Sequence, residues 1–228
     1  PGWQRACRTR IDGLRRLGQE PVNGPVARWV HRVAEVTGIA AAVVHFHRYS
    51  RDGGEASRIG RLLYRVRHSP LYPLTVALLA LVSAGTGLYP YGPVIIAATV
   101  FAPDRWRSSY LAACAGAAAG GMACALVLQT VGFNLVDEWF PGIREHEFWE
   151  QSAYWIGRHG AAALAAIGAL PVPQMPALIV SALGNLHPVA IGLALFSGKL
   201  VKYGVYILAT RVVLSALHRV GEMVDPNG

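Results

Sequence analysis

Lys199 and Lys202 are the residues whose type and position most clearly demand a chemical reason. They lie midway along the apolar stretch 189-VAIGLALFSGKLVKYGVYILATRVV-213, roughly ten residues from either end. From that depth an ammonium group cannot easily reach a membrane interface, and a cation near the centre of a span costs about 3 kcal/mol even on insertion scales. A buried acid could neutralise the pair, but no acidic residue lies inside any of the apolar stretches. The pair therefore reads as an anion site facing a protein interior or a wet cavity.

Two proline-rich breaks supply a complement. In Gly92-Pro93 and in Pro173-Gln174-Met175-Pro176 a proline stands where a new helix would start, a position it favours. The free N–H groups and positive dipole end of such starts attract anions. Gln174 adds a neutral donor. Two helix starts and two lysines together describe a phosphate or carboxylate pocket, although turning the chain would by itself account for the prolines.

Other polar groups point less sharply. Asp137 and Glu138, with Glu145 and Glu147, read either as a proton-coupling site or as the wet face of an interfacial helix. With Trp139, Phe140, Phe148, Trp149, Tyr154 and Trp155 interleaved, the second fits an aromatic belt. His45 and His47 form a lone HxH, too little for a metal site, and His187 reads as structural. Cys114 and Cys124 are ten residues apart on one expected helix, about 15 Å, too far for a disulfide. No Walker loop, HExxH, GxSxG or CxxC pair occurs. The expectation is a protein that is not an enzyme and takes neither cofactor nor metal.

The elements that must position these residues are legible in the composition. Of 228 residues, 53% are hydrophobic and 15% charged, against about 25% charged in soluble domains. Between Pro70 and Gly132 the only charges are Asp104, Arg105 and Arg107. Near-chargeless runs of roughly 20 apolar residues are the mark of bilayer spans. Residues 1–70 hold 13 Arg against 5 acids, while 71–228 hold 8 cations against 8 acids, so the net charge of +8 sits in the N-terminal third. Beside membrane spans, that arm reads as cytoplasmic and facing anionic lipid rather than nucleic acid. It contains no apolar core and cleavage site of a secretory signal.

The chain divides into a basic amphipathic region 1–70, a membrane domain 71–219 and a tail 220–228. In 55-EASRIGRLLYRVRH-68, arginines surround Ile59, Leu62, Leu63 and Val66, as in a basic interfacial helix or a helix packed on the rest of the protein. The membrane domain carries a repeat. An apolar half-segment runs into a double-proline break, at Pro90 and Pro93 and again at Pro171, Pro173 and Pro176. A second apolar half follows, ended by Pro103 or Pro188, and then a full-length span. Proline ends helices, and the second halves are too short to cross alone. The expected fold is an all-α membrane protein with two re-entrant helical hairpins plus transmembrane helices in an inverted repeat. The alternative makes 73–89 and 155–170 complete crossings. The linker 134–158 carries −3, opposite in sign to the arginine-rich segments, which puts both termini in the cytoplasm. Gly116, Gly120 and Gly121 form a small-residue face for close packing, within the fold or in a homodimer. Gly184-Asn185 reads as a half-helix end, with glycine at positive φ.

From about Tyr89 to Arg219, some 130 residues, the chain resembles the DedA family of bacterial membrane proteins, in the SNARE-associated or VTT-domain superfamily. The residues that carry the resemblance are 89-YPYGPVIIAATVFAPDRW-106, 170-LPVPQMPALIVSALGNL-186 and 198-GKLVKY-203. In the family's shorter branch the second hairpin reads F-x-P-I-P-Y-K and the last span G-R-x-x-R-F. Pro171 and Pro173 match the prolines, and Gly198, Lys199, Lys202 and Tyr203 fit the last motif with lysine for arginine and tyrosine for phenylalanine. Gln174 stands where the family has lysine, and the acid of the family's first hairpin has no counterpart here. The resemblance implies transport of a lipid phosphate, undecaprenyl phosphate or a phospholipid, in the bacterial inner membrane. The substrate-binding candidates are thus Lys199, Lys202, Tyr203, Gln174, Pro173, Pro176, Gly92 and Pro93. Arg105 and Arg211 join the set. Two competing expectations are an ion- or proton-coupled exchanger for a small solute, and a membrane-anchored scaffold acting through the basic arm.

Overall fold

The computed structural model describes residues 39–52, 58–132, 138, 142, 145 and 147–224. Most of the basic arm, and Asp137, lie outside them. Among the described residues the chain is helical throughout, with no strand. In chain order the helices are α1 (Ile39–Asp52), α2 (Arg58–Val66), α3 (Tyr72–Thr86), α4 (Gly92–Phe101), α5 (Trp106–Val131), α6 (Glu147–His159), α7 (Ala161–Ala169), α8 (Met175–Leu183) and α9 (Pro188–Val224), with a 3-10 turn at Pro103–Arg105 before α5.

Proline and glycine set these boundaries. Pro73, Pro93 and Pro176 each occupy the second position of a helix, where the missing N–H costs nothing. Leu170, before Pro171, is extended at φ −83° and ψ 156°, as the proline ring requires. Gly87 ends α3 in the left-handed region at φ +67°. At the end of α8 the positive φ falls on Asn185, at +58°, and not on Gly184, at −76°. This corrects the sequence expectation, and asparagine is the side chain that best tolerates that conformation.

Close contacts fix the helix directions. Gly116 meets the backbone of Ala77, and Gly120 that of Leu81, one turn further on, so α3 and α5 run parallel. Between them α4 runs back. Tyr72 donates to the Ala98 carbonyl at 2.9 Å and Tyr91 to the Val76 carbonyl at 2.8 Å. Gly160 lies near Leu186, and Gly168 near Gly198, so α7 and α9 also run parallel. The α5–α9 pair is antiparallel, with Gly192 beside Met122 and Tyr110 donating to the Leu200 carbonyl. The short helices then cross over: α4 packs on α9, and α8 packs on α5.

Two buried clusters result. One joins α1 to α4 with the start of α5 and the later part of α9, around Phe46, Tyr72, Ile95, Phe101 and Tyr203. The other joins the end of α5 with α6, α7, α8 and the start of α9, around Leu128, Ile156, Leu164, Ile179 and Leu195. In α2, Leu63 and Gly60 are buried while Arg58, Arg61 and Arg65 stay exposed, so this helix both packs on the body and turns its cations outward. Leu74, Leu78, Leu111, Leu126, Leu193 and Leu208 face outward. Pro103–Val131 and Pro188–Ser215 are long and apolar enough to cross a membrane. By contrast α4 and α8, with ten and nine residues, reach about 15 Å, half a hydrocarbon core of ~30 Å.

The small-residue face is used inside the chain. A Cβ on Gly116 or Gly120 would run into the α3 carbonyls of Ala77 and Leu81. Gly116→Val is expected to destabilise the protein by about 1–3 kcal/mol through overpacking. Gly157→Ala, with nothing within 4 Å of the new methyl, should be neutral or stabilising by up to ~1 kcal/mol. Thermal unfolding of the two variants in detergent measures the difference.

Candidate functional site

The two breaks meet on one stretch of α9. Lys199 is 5% exposed, because Gly198 beside it has no side chain and lets the α7 backbone at Ala165 and Ala169 pack directly against it. The break that follows α7 is thereby brought level with the lysine. There the Lys199 ammonium donates to Oε1 of Gln174, the N-cap residue of α8. One turn on, Tyr203 is 2% exposed. Its ring centroid lies 5.4 Å from the Lys199 Nζ and 5.2 Å from the ring of Tyr91, the N-cap residue of α4. Gly92 abuts Tyr206, where a Cβ would stand 2.9 Å from the ring, and Gly87 abuts Met175. Residues 199–206 of α9 are thus the common floor of both helix starts.

The electrostatics of this place are one-sided. Among the described residues Lys202, one turn from Lys199 and partly buried, has neither a hydrogen bond nor an ion pair, and no carboxylate pairs with Lys199. No side chain caps the start of α4 or α8, so both present the positive ends of their dipoles. Cys114 of α5 lies within electrostatic range of Lys199. The arrangement offers ammonium groups, backbone donors and tyrosine rings, a set suited to holding an anionic oxygen group.

Sequence-derived candidates divide accordingly. Lys199, Gln174, Tyr203 and Gly92 come together, and Pro176 is buried at the start of α8. Pro93 and Pro173 are exposed in the break regions and shape the chain. Arg105 donates to the Ser69 carbonyl and tethers the α2–α3 turn. Arg211 lies over Trp106 at 4.8 Å. It stands twelve residues beyond Lys199, about 18 Å along the helix, so neither arginine joins the cluster. Gln174 also acts differently from expectation, as acceptor to Lys199. Glu138 is exposed. Among the described residues no group of His, Cys, Asp or Glu is arranged to hold a metal.

Tyr91, Tyr206, Gly87 and Met175 were missed by sequence reasoning. The i, i+4 pairing of Lys199 with Tyr203 was available as a signal, and so was the aromatic pair around Pro90. The tip-to-tip contact of Gly87 with Met175 joins residues 88 positions apart and leaves no local trace. No protein-family model, curated protein or solved structure matches the chain.

Lys199 and Lys202 are the only lysines in the sequence, which makes their environments separable. A small amine-reactive reagent applied to the purified protein should modify Lys202 several-fold faster than Lys199, read by peptide mass spectrometry. Equal rates would mean that Lys199 is not enclosed.

Proposed function

We propose that the chain is a DedA-like membrane transporter or flippase that binds the phosphate head group of a lipid between its two proline breaks. The observation that carries this reading is the enclosure of Lys199, 5% exposed and without a carboxylate partner among the described residues, at the meeting point of two helix starts. A buried ammonium answered only by a neutral amide is incompletely compensated. A phosphate oxygen would compensate it.

The helix directions favour the inverted-repeat form of this reading. α3 parallel to α5 with α4 running back supports reading the first broken segment as a re-entrant hairpin. The antiparallel course of α5 and α9 supports reading α7–α8–α9 as the same arrangement in the opposite sense. Paired interrupted helices in two such halves are the usual setting of a mid-membrane substrate site. The outward leucines and the two long apolar helices fit a bilayer, and the exposed arginines of α2 fit an anionic cytoplasmic leaflet. A lysine is a point-charge phosphate ligand, which suits a head group free to turn as it passes. Undecaprenyl phosphate and glycerophospholipids share that group.

Protein reconstituted in vesicles should move a labelled polyprenyl phosphate or phospholipid between leaflets. Replacing Lys199 and Lys202 together by alanine removes charge-assisted contacts of about 1.5–3 kcal/mol each, so the rate should fall at least ~10-fold. A double variant that moves lipid at the wild-type rate would refute the site.

A further inference from the structure

The two breaks meet on α9 but are held in place by different means. The first is stapled to its own hairpin by side chains that leave it no freedom. Tyr89 donates to the Leu79 carbonyl at 2.5 Å, Tyr91 to the Val76 carbonyl at 2.8 Å, and Ser83 to the Tyr89 carbonyl at 2.8 Å, with Tyr72 closing the far end on Ala98. Among the described residues the second break has one side-chain hydrogen bond, from Lys199 to Gln174. The opposite end of α8 is anchored independently, where Gln129 of α5 donates to the carbonyls of Ala182 at 3.2 Å and Leu186 at 2.8 Å. Thus α8 is fixed at its outer end and latched at its inner one.

Resting on the anion-site reading above, we propose that Gln174 is the latch and positioning residue of the site: its amide oxygen occupies Lys199 in place of the anion, and an arriving phosphate takes the lysine and releases the second break. Enclosure makes the two events mutually exclusive, because at 5% exposure Lys199 cannot accept a head group while the Gln174 side chain covers it. A phosphate oxygen adds a full opposite charge where the amide offers only a dipole, and Coulomb attraction is weakly screened in an enclosed site, so phosphate wins the exchange. A carboxylate at position 174 would hold the lysine against it. Tyr203 and Tyr91 keep the lysine aimed at the same point in either state. The tip of α8 then moves about its Gln129 anchor, sliding off Gly87, which touches Met175 only by van der Waals contact.

Hydrogen exchange of the full chain in detergent micelles, read by mass spectrometry, tests this with dihexanoyl phosphatidic acid as probe and dihexanoylglycerol, which lacks the phosphate, as control. Phosphatidic acid should speed exchange of the amides at 172–178 several-fold and leave those at 89–98 unchanged. Gln174→Leu should speed the same segment without any lipid. Gln174→Glu should keep the wild-type protection yet lose the response to phosphatidic acid, a split that a merely structural role for Gln174 would not produce. The proposal is overturned if phosphatidic acid changes neither break or both equally, if Gln174→Leu exchanges as wild type does, or if Gln174→Glu responds as wild type does. The transport reading is judged separately, by the Lys199/Lys202 double variant in vesicles. Loss of lipid movement there alongside a silent Gln174→Leu would sink the latch and leave the transporter standing.

Discussion

A helix that breaks among apolar neighbours leaves backbone groups that no water can satisfy, and most of this structure follows from that constraint. Each unpaired buried carbonyl or N–H costs on the order of 1–3 kcal/mol, and in a hydrocarbon setting it must find a partner within the protein. The hydroxyl and amide groups carried into the apolar region face the same constraint and find their partners within the protein. Tyr72, Tyr89, Tyr91 and Tyr110 all donate to backbone carbonyls, three of them across the α3–α4 turn and one from α5 to α9. Gln129 meets two carbonyls at the end of α8. Tyrosine suits this work because its ring packs as a hydrophobe while its hydroxyl reaches a partner.

Close helix approach is the second requirement, and glycine meets it where tyrosine cannot. Gly116 and Gly120 bring α5 against the α3 backbone, and Gly198 brings α9 against α7. With lipid-like surfaces outside, association rests on such packing rather than on expelling water. The short helices α4 and α8 each cross to the other unit's long helix, so the broken segments of one half are supported by the other. The breaks consequently converge at one level of α9 instead of lying at separate depths.

Much of this was legible in the sequence, for identifiable reasons. Pro73, Pro93, Pro176 and Pro188 mark helix starts because proline has few other places to go, and the nearly chargeless runs mark the long helices because charge is excluded from them. Lys199 and Lys202 stood out because cations in an apolar stretch violate their surroundings. Partner choice was harder to read. Gln174 looked like a donor to an anion, and only the position of α7 against Gly198 shows that it faces an ammonium. Arg105 and Arg211 looked like head-group ligands by type, yet each is engaged elsewhere, on Ser69 and over Trp106. The left-handed turn after α8 fell on Asn185 because φ depends on how the chain must exit, which Gly184-Asn185 alone does not specify.

Gly198 has a meaning beyond packing. It is the immediate neighbour of Lys199, and the spot it leaves bare is filled by the α7 backbone. How far the ammonium is withdrawn from solvent is therefore set by a backbone contact one residue away. A methyl group at position 198 would add no charge and remove no hydrogen bond, but it would hold α7 off and admit solvent beside the lysine. In this protein the strength of the electrostatic site is governed by a distance between two backbones, so a change of one carbon atom can retune it as effectively as a change of charge.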